Sequence, residues 1–185
     1  MRIFYIRHAP TEANLTGSLV KNYSEYDILP FDKEKWFKEI GVNLPKEFKL
    51  FTSPSKRCIQ TAKALFPDKP FTILKELKEF DCSCLEKNFW EVSEEEFTKK
   101  THITKDIVEN ILTDFLIKLN STAYIDDDVV VVGHGFYGRL LYSYWNGDED
   151  TPLEILNSKN FKFKNLDMMY VKMAEVKEVY RFDKK

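Results

Sequence analysis

The sequence predicts an α/β protein, a three-layer α/β/α sandwich around a mostly parallel central sheet. Three observations carry that expectation. Short apolar runs alternate with helical patterns along the chain, the order that βαβ units require. Residues 129–132 are four consecutive valines, which suits a strand covered by helices on both faces. The composition, 43% hydrophobic and 31% charged over 185 residues, is that of a globular domain. A chain of this length buries roughly 70% of the surface its unfolded form exposes, so it can hold a core without cross-links.

Each element follows in order. Residues 2–6 form the first apolar run, and 48–52 and 71–74 the next two, all expected as strands. Ser53 and Pro54 read as a helix start, a capping hydroxyl followed by proline in the first turn. Cys58, Thr61, Ala62 and Leu65 then recur at helical spacing until Pro67 ends the pattern. Ile107, Ile111, Leu112, Phe115, Leu116 and Leu119 make a second amphipathic face, and residues 136–145 a third helix. Further strands are expected near 169–172 and 176–182. The segments 15–46 and 86–104 lack clear periodicity and carry Trp36, Phe37, Phe89 and Trp90. They are expected as insertions at the carboxyl edge of the sheet, where α/β proteins bind ligands. With no repeat and no Gly/Ser-rich linker, residues 1–185 read as one domain.

Charge and composition narrow the function classes. A net charge of −2 argues against a general nucleic-acid binder, which carries a basic excess. Apolar runs such as 129–132 fall far short of the ~20 residues that span a bilayer. Three cysteines cannot pair evenly, and a chain this large needs no disulfide frame. The protein is expected to be soluble and cytoplasmic, without nucleic-acid or membrane partners.

The residues able to carry chemistry are few. The chain has 23 Lys but only 5 Arg, so an arginine here calls for a reason; only its planar fork grips phosphate or carboxylate at two points. Arg7 ends the first strand and Arg57 follows the second. Of the three histidines, His8, His102 and His134, the first and last directly follow predicted strands. Two guanidiniums and two imidazoles gathered at one strand edge describe an anion site, and phosphate is the natural anion. Cys82 and Cys84 have no second pair or nearby histidine, so a zinc site is not expected.

The segment Arg7-His8-Ala9-Pro10-Thr11-Glu12-Ala13-Asn14 resembles the opening signature of the histidine phosphatase superfamily, the phosphoglycerate-mutase-like proteins, Arg-His-Gly-Glu-Thr-x-x-Asn. Thr52-Ser53-Pro54-Ser55-Lys56-Arg57-Cys58-Ile59-Gln60-Thr61-Ala62 is similar to that family's Ser-Ser-Pro-x-x-Arg-x-x-Gln-Thr-Ala. Leu77-Lys78-Glu79, with Glu86 seven residues on, resembles its Leu-x-Glu segment. Gly133-His134-Gly135 resembles the second histidine motif. The four occur in family order over residues 1 to about 145. Ala9 and Pro10 depart from the pattern, Cys82-Ser83-Cys84 replaces an aromatic glycine-rich stretch, and Leu-Thr-x-x-Gly-x-x-Gln-Ala is absent near 29–40.

The resemblance implies a phosphoglycerate-mutase-like fold and a phosphatase that needs no metal or other cofactor. His8 would be the nucleophile, forming a phosphohistidine. Arg7, Arg57, His134, Asn14 and Gly135 would bind the phosphoryl group, and Glu79 would be the proton donor. Glu76 competes for that last role, but only Glu79 places Glu86 at the second acidic position. The substrate implied is a small phosphomonoester: a sugar phosphate, a nucleoside-like phosphate such as α-ribazole phosphate, or alternatively a phosphorylated protein. A mutase-type phosphotransferase and a non-catalytic phosphate-binding module are the alternatives. Gly133-His134-Gly135-Phe136-Tyr137-Gly138 also fits the dinucleotide pattern G-x-G-x-x-G. Too little chain follows it for two βαβαβ halves, so a nicotinamide enzyme is set aside.

Overall fold

The computed structural model of the protein describes residues 2–16, 26–40, 44–85, 91–122, 127–147, 150–158, 163–172 and 178–182. Its elements run β1 (Arg2–Arg7), α1 (Glu12–Thr16), α2 (Lys33–Ile40), β2 (Lys49–Thr52), α3 (Lys56–Leu65) and β3 (Phe71–Ile73). A 3₁₀ turn (Lys75–Leu77), α4 (Glu94–Thr101), α5 (Lys105–Thr122), β4 (Asp128–Gly133), α6 (Gly135–Asn146), α7 (Pro152–Asn157), β5 (Met168–Lys172) and β6 (Glu178–Phe182) follow. The six strands form one sheet in the order β3-β2-β4-β1-β5-β6. The first four are mutually parallel, and β5 and β6 return antiparallel.

The layers follow from the two-residue period of the strands. Val129 and Val131 join Ile3, Tyr5 and Phe51 on one face, against Leu112, Phe115 and Leu119 of α5 and Tyr137, Leu140 and Leu141 of α6. Val130 and Val132 join Phe4, Ile6 and Leu50 on the other, against Trp36 and Ile40 of α2 and Cys58, Ala62 and Leu65 of α3. The valine run is buried on both sides, as four successive β-branched residues in a central parallel strand require.

Register positions the site. Arg7 pairs with Gly133, and Thr52 with Val132, so β1, β2 and β4 end level at one edge. The ladder extends one step past the strands: His8 N donates to Gly133 O at 2.9 Å and Ser53 N to Val132 O at 3.0 Å. Residues 8, 53 and 134 therefore emerge side by side.

Three expectations need correction. The third helix of the chain starts at Lys56 with Ser55 at its N-cap, not at Ser53-Pro54, because the Ser53 hydroxyl is bonded elsewhere. On α5, Ile107 is exposed and Val108 buried; the buried stripe runs 108, 112, 115, 119, one position away from Ile107. The segments read as irregular contain α2 and α4, short helices anchored by single aromatics, Trp36 and Phe97. Trp36 Nε1 donates to Leu166 O at 2.8 Å. Glu86, Phe89 and Trp90 lie outside the described residues. Among the described residues no helix is long and apolar enough to cross a membrane.

Candidate active site

His8, His134 and Arg57 meet at the level strand ends, and all three are buried, at 2%, 1% and 3% exposure. The imidazoles stand edge to face with ring centroids 5.6 Å apart. Their protonation can be deduced from their partners, since a carbonyl only accepts and a guanidinium only donates. His8 Nδ1 lies 2.7 Å from Ala9 O, so Nδ1 carries the proton and Nε2 the lone pair. Arg57 Nε donates to that lone pair at 3.1 Å. Arg57 Nη2 reaches His134 Nδ1 at 3.0 Å, so His134 carries its proton on Nε2 and donates it to Ser53 Oγ at 2.8 Å. One guanidinium thus faces the lone pairs of both neutral rings.

The electrostatics agree with that assignment. Burial, then Arg57 and Arg7, holds the His8 imidazole well below its ordinary range. Burial, then Arg57, His8 and Arg7, does the same to His134. A neutral imidazole can act as a nucleophile at physiological pH, whereas an imidazolium cannot. Cys58 lies beneath His134, its Sγ 3.6 Å from Nε2. Burial pushes its thiol up to about 12, so it stays protonated and donates to Gly133 O at 3.5 Å.

Arg7 is held by backbone on all sides. Its N donates to Asp167 O at 3.0 Å, its carbonyl accepts from Leu166 N at 3.1 Å, and its guanidinium donates to Phe163 O. A β-carbon at Gly135 would come within 2.8 Å of Arg7 Cζ, so glycine there lets the guanidinium lie against the start of α6. The loop behind His8 keeps its bonds despite Ala9 and Pro10. Ala9 N donates to Thr61 Oγ1 at 2.9 Å, and Pro10 O accepts from Leu29 N at 2.8 Å.

Glu79 follows the 3₁₀ turn, and its carboxylate sits on the amino end of α6. Oε1 accepts from Tyr137 N at 3.0 Å and Phe80 N at 3.1 Å, and Oε2 from Phe136 N at 3.3 Å. Burial raises its pKa, opposed by Arg57 and then by the three N–H donors. Glu76 lines a cleft of about 570 Å³ between residues 75–81 and α5 that includes neither histidine. Glu79 lines the same cleft; what sets it apart is its pair of bonds to the Phe136 and Tyr137 amides, just past His134, and the field of Arg57. Asn14 Oδ1 accepts from Thr11 N and Thr11 Oγ1, both at 3.0 Å.

Sequence reasoning missed three members. Ser53 was read only as a helix cap, although it too directly follows a strand. Tyr5 falls within the apolar run 2–6, expected only as a strand; its hydroxyl accepts from His134 N at 2.8 Å and donates to His134 O at 3.1 Å. Asn165 gave no local signal, yet its Nδ2 donates to His8 O at 2.9 Å.

Comparison with known proteins shows the family and the fold. The family model for the histidine phosphatase superfamily (branch 1) matches residues 3–175. Among solved structures, a mutant of the phosphoserine phosphatase from Entamoeba histolytica in complex with phosphoserine is 18% identical, with a TM-score of 0.74, covering 98% of this chain and 95% of its own. The same phosphatase in complex with 3-phosphoglyceric acid gives 17% and 0.75, covering 100% and 97%. The α-ribazole phosphatase of Shigella flexneri is 15% identical, with a TM-score of 0.68, covering 98% and 96%. At these identities the likeness is one of fold. No curated protein sequence matches the chain.

Proposed function

The chain belongs to the histidine phosphatase superfamily, and from that premise we propose that it hydrolyses a small phosphomonoester, without a metal, through a phosphohistidine on His8 Nε2. One observation carries the proposal: the lone pairs of two neutral, buried imidazoles converge on the Arg57 guanidinium, His8 Nε2 at 3.1 Å and His134 Nδ1 at 3.0 Å. An entering phosphoryl group takes the place of those lone pairs as the partner of Arg57.

In the first step His8 Nε2 forms a bond to phosphorus while the bond to the ester oxygen breaks. Glu79, its pKa raised by burial, gives its proton to the departing oxygen. In the second step water attacks the phosphohistidine, Glu79 takes back a proton, and the N–P electron pair returns to Nε2. Arg7, Arg57 and the Asn14 amide hold the equatorial oxygens, with the Gly135 N–H at the start of α6 as a further donor; His134 joins them once its Nδ1, released by Arg57, takes up a proton brought by the entering phosphoryl group. Preorganised donors of this kind are worth ~10²–10³ each in rate. Protein cations supply the positive field throughout. The neighbours in complex with phosphoserine and 3-phosphoglyceric acid support a small phosphorylated substrate.

The test is hydrolysis of p-nitrophenyl phosphate in excess EDTA by the wild type and by His8→Ala. Turnover by the wild type alone supports the proposal. Undiminished turnover by the variant refutes the role of His8. Conversion of 3-phosphoglycerate to 2-phosphoglycerate, in place of hydrolysis, moves the assignment to a mutase.

A further inference from the structure

Asn165 lies far outside the recognised motifs, in a turn closed by Asp167 N donating to Lys164 O at 3.0 Å, with Leu166 in the left-handed region at φ 65°. Its Nδ2 donates to His8 O at 2.9 Å and to Asn14 Oδ1 at 3.2 Å, and passes 3.5 Å from His8 Nδ1. Two acceptors use both protons of the amide. The opposite flip would set an oxygen against two oxygens, so the orientation is determined.

The consequence reaches Asn14. Its Oδ1 receives three donors, Thr11 N, Thr11 Oγ1 and Asn165 Nδ2. That number fixes which edge of the Asn14 amide faces inward and turns its NH₂ edge away from Thr11 and Asn165. The same turn also holds Arg7, through Asp167 O and Leu166 N.

We propose that Asn165 is a positioning residue for the phosphate site, orienting the Asn14 amide and the His8 backbone together. This rests on the phosphatase reading, in which Asn14 donates to a phosphoryl oxygen. Asn165 touches no phosphate itself; it acts through Asn14 and His8. Without it the Asn14 side chain loses one of the three donors that fix it, and phosphate meets a disordered amide.

A double-mutant cycle tests this, comparing wild type, Asn14→Ala, Asn165→Ala and the double variant. The readouts are kcat and KM for p-nitrophenyl phosphate and the Kd of inorganic phosphate by calorimetry, with the urea midpoint as a folding control. Asn165→Ala is expected to weaken phosphate binding roughly tenfold, as loss of a hydrogen-bonded orientation does. In the double variant the two losses do not multiply; it matches Asn14→Ala within about twofold. Wild-type phosphate affinity in Asn165→Ala overturns the inference, as do losses that multiply. Should Asn165→Ala fold poorly, Asn165→Ser, which keeps one donor, takes its place. A wild type that binds phosphate but hydrolyses no ester overturns the phosphatase reading, and the binding cycle still decides the role of Asn165.

Discussion

The hydroxyl of Tyr5 occupies the space a β-carbon at Gly133 would need: that carbon would fall 2.0 Å from Tyr5 Oη and 2.5 Å from Tyr5 Cζ. The vacancy lets Tyr5 reach the His134 backbone, accepting from its N–H and donating to its carbonyl. His134 is the N-cap of α6, so its N–H has no partner within the helix, and Tyr5 supplies one. Gly133→Ala is expected to destabilise by about 1–3 kcal/mol through overpacking. Tyr5→Phe is expected to cost about 1–3 kcal/mol by orphaning the His134 N–H. Combining Gly133→Ala with Tyr5→Leu should recover part of the first loss. Urea unfolding of the three variants measures each value.

Arg57→Lys should lower kcat/KM at least a hundredfold, since an ammonium is a point charge and cannot span His8 Nε2 and His134 Nδ1 as the fork does. Arg57→Met should also let both imidazoles titrate nearer their ordinary range, because a leading cause of their depression is gone. Steady-state kinetics checks the first effect. NMR titration of the imidazole signals checks the second.

The same burial makes stability depend on pH. Unfolded, His8 and His134 bind protons near the ordinary value of 6.5; folded, burial and Arg57 hold them well below it. Stability from these groups is complete above about 6.5 and is lost as pH falls below it, at up to ~1.4 kcal/mol per pH unit for each ring. Glu79 acts in the opposite sense, since its pKa is raised above its ordinary 4.5, but it is one group against two. Net stability should therefore fall between pH 6.5 and 5.5, and the fall should be shallower in His134→Gln. Urea midpoints at a series of pH values give both slopes.

Glu79→Gln separates the two classes of leaving group. A 2,4-dinitrophenolate departs without a proton, so phosphoryl transfer from its ester to His8 should slow little. An alkyl phosphomonoester needs the proton and should slow by ~10²–10⁴, the usual contribution of a general acid. Equal losses on both substrates in kcat/KM, which ends at phosphoryl transfer to His8 and so leaves out the base-assisted second step, would remove the acid role from Glu79.

Much of this arrangement was legible in the sequence, for physical reasons. The valine run and the helical spacing of Cys58, Thr61, Ala62 and Leu65 report local periodicity, which burial on a sheet imposes directly. Arg7, His8 and His134 were legible because each ends or follows a strand. Ser53 was misassigned because its local context, a hydroxyl before proline, is also that of a helix cap; only the register of β2 against β4 sets it beside His134. Asn165 was illegible because its partner His8 is 157 positions away, brought near by the antiparallel return of β5. Tyr5 gave no site signal because it lies inside an apolar strand run and its ring is core. Only the absence of a side chain at Gly133 lets its hydroxyl reach the site.

The central claim, covalent transfer to His8, is tested most directly by trapping. The wild type would be mixed with a phosphomonoester in excess, quenched in alkali within the first turnovers, digested, and mapped by mass spectrometry. A phosphoryl group on the peptide containing His8, absent from His8→Ala, is the result expected. Steady hydrolysis with the peptide never labelled, or label on another residue, would contradict the account.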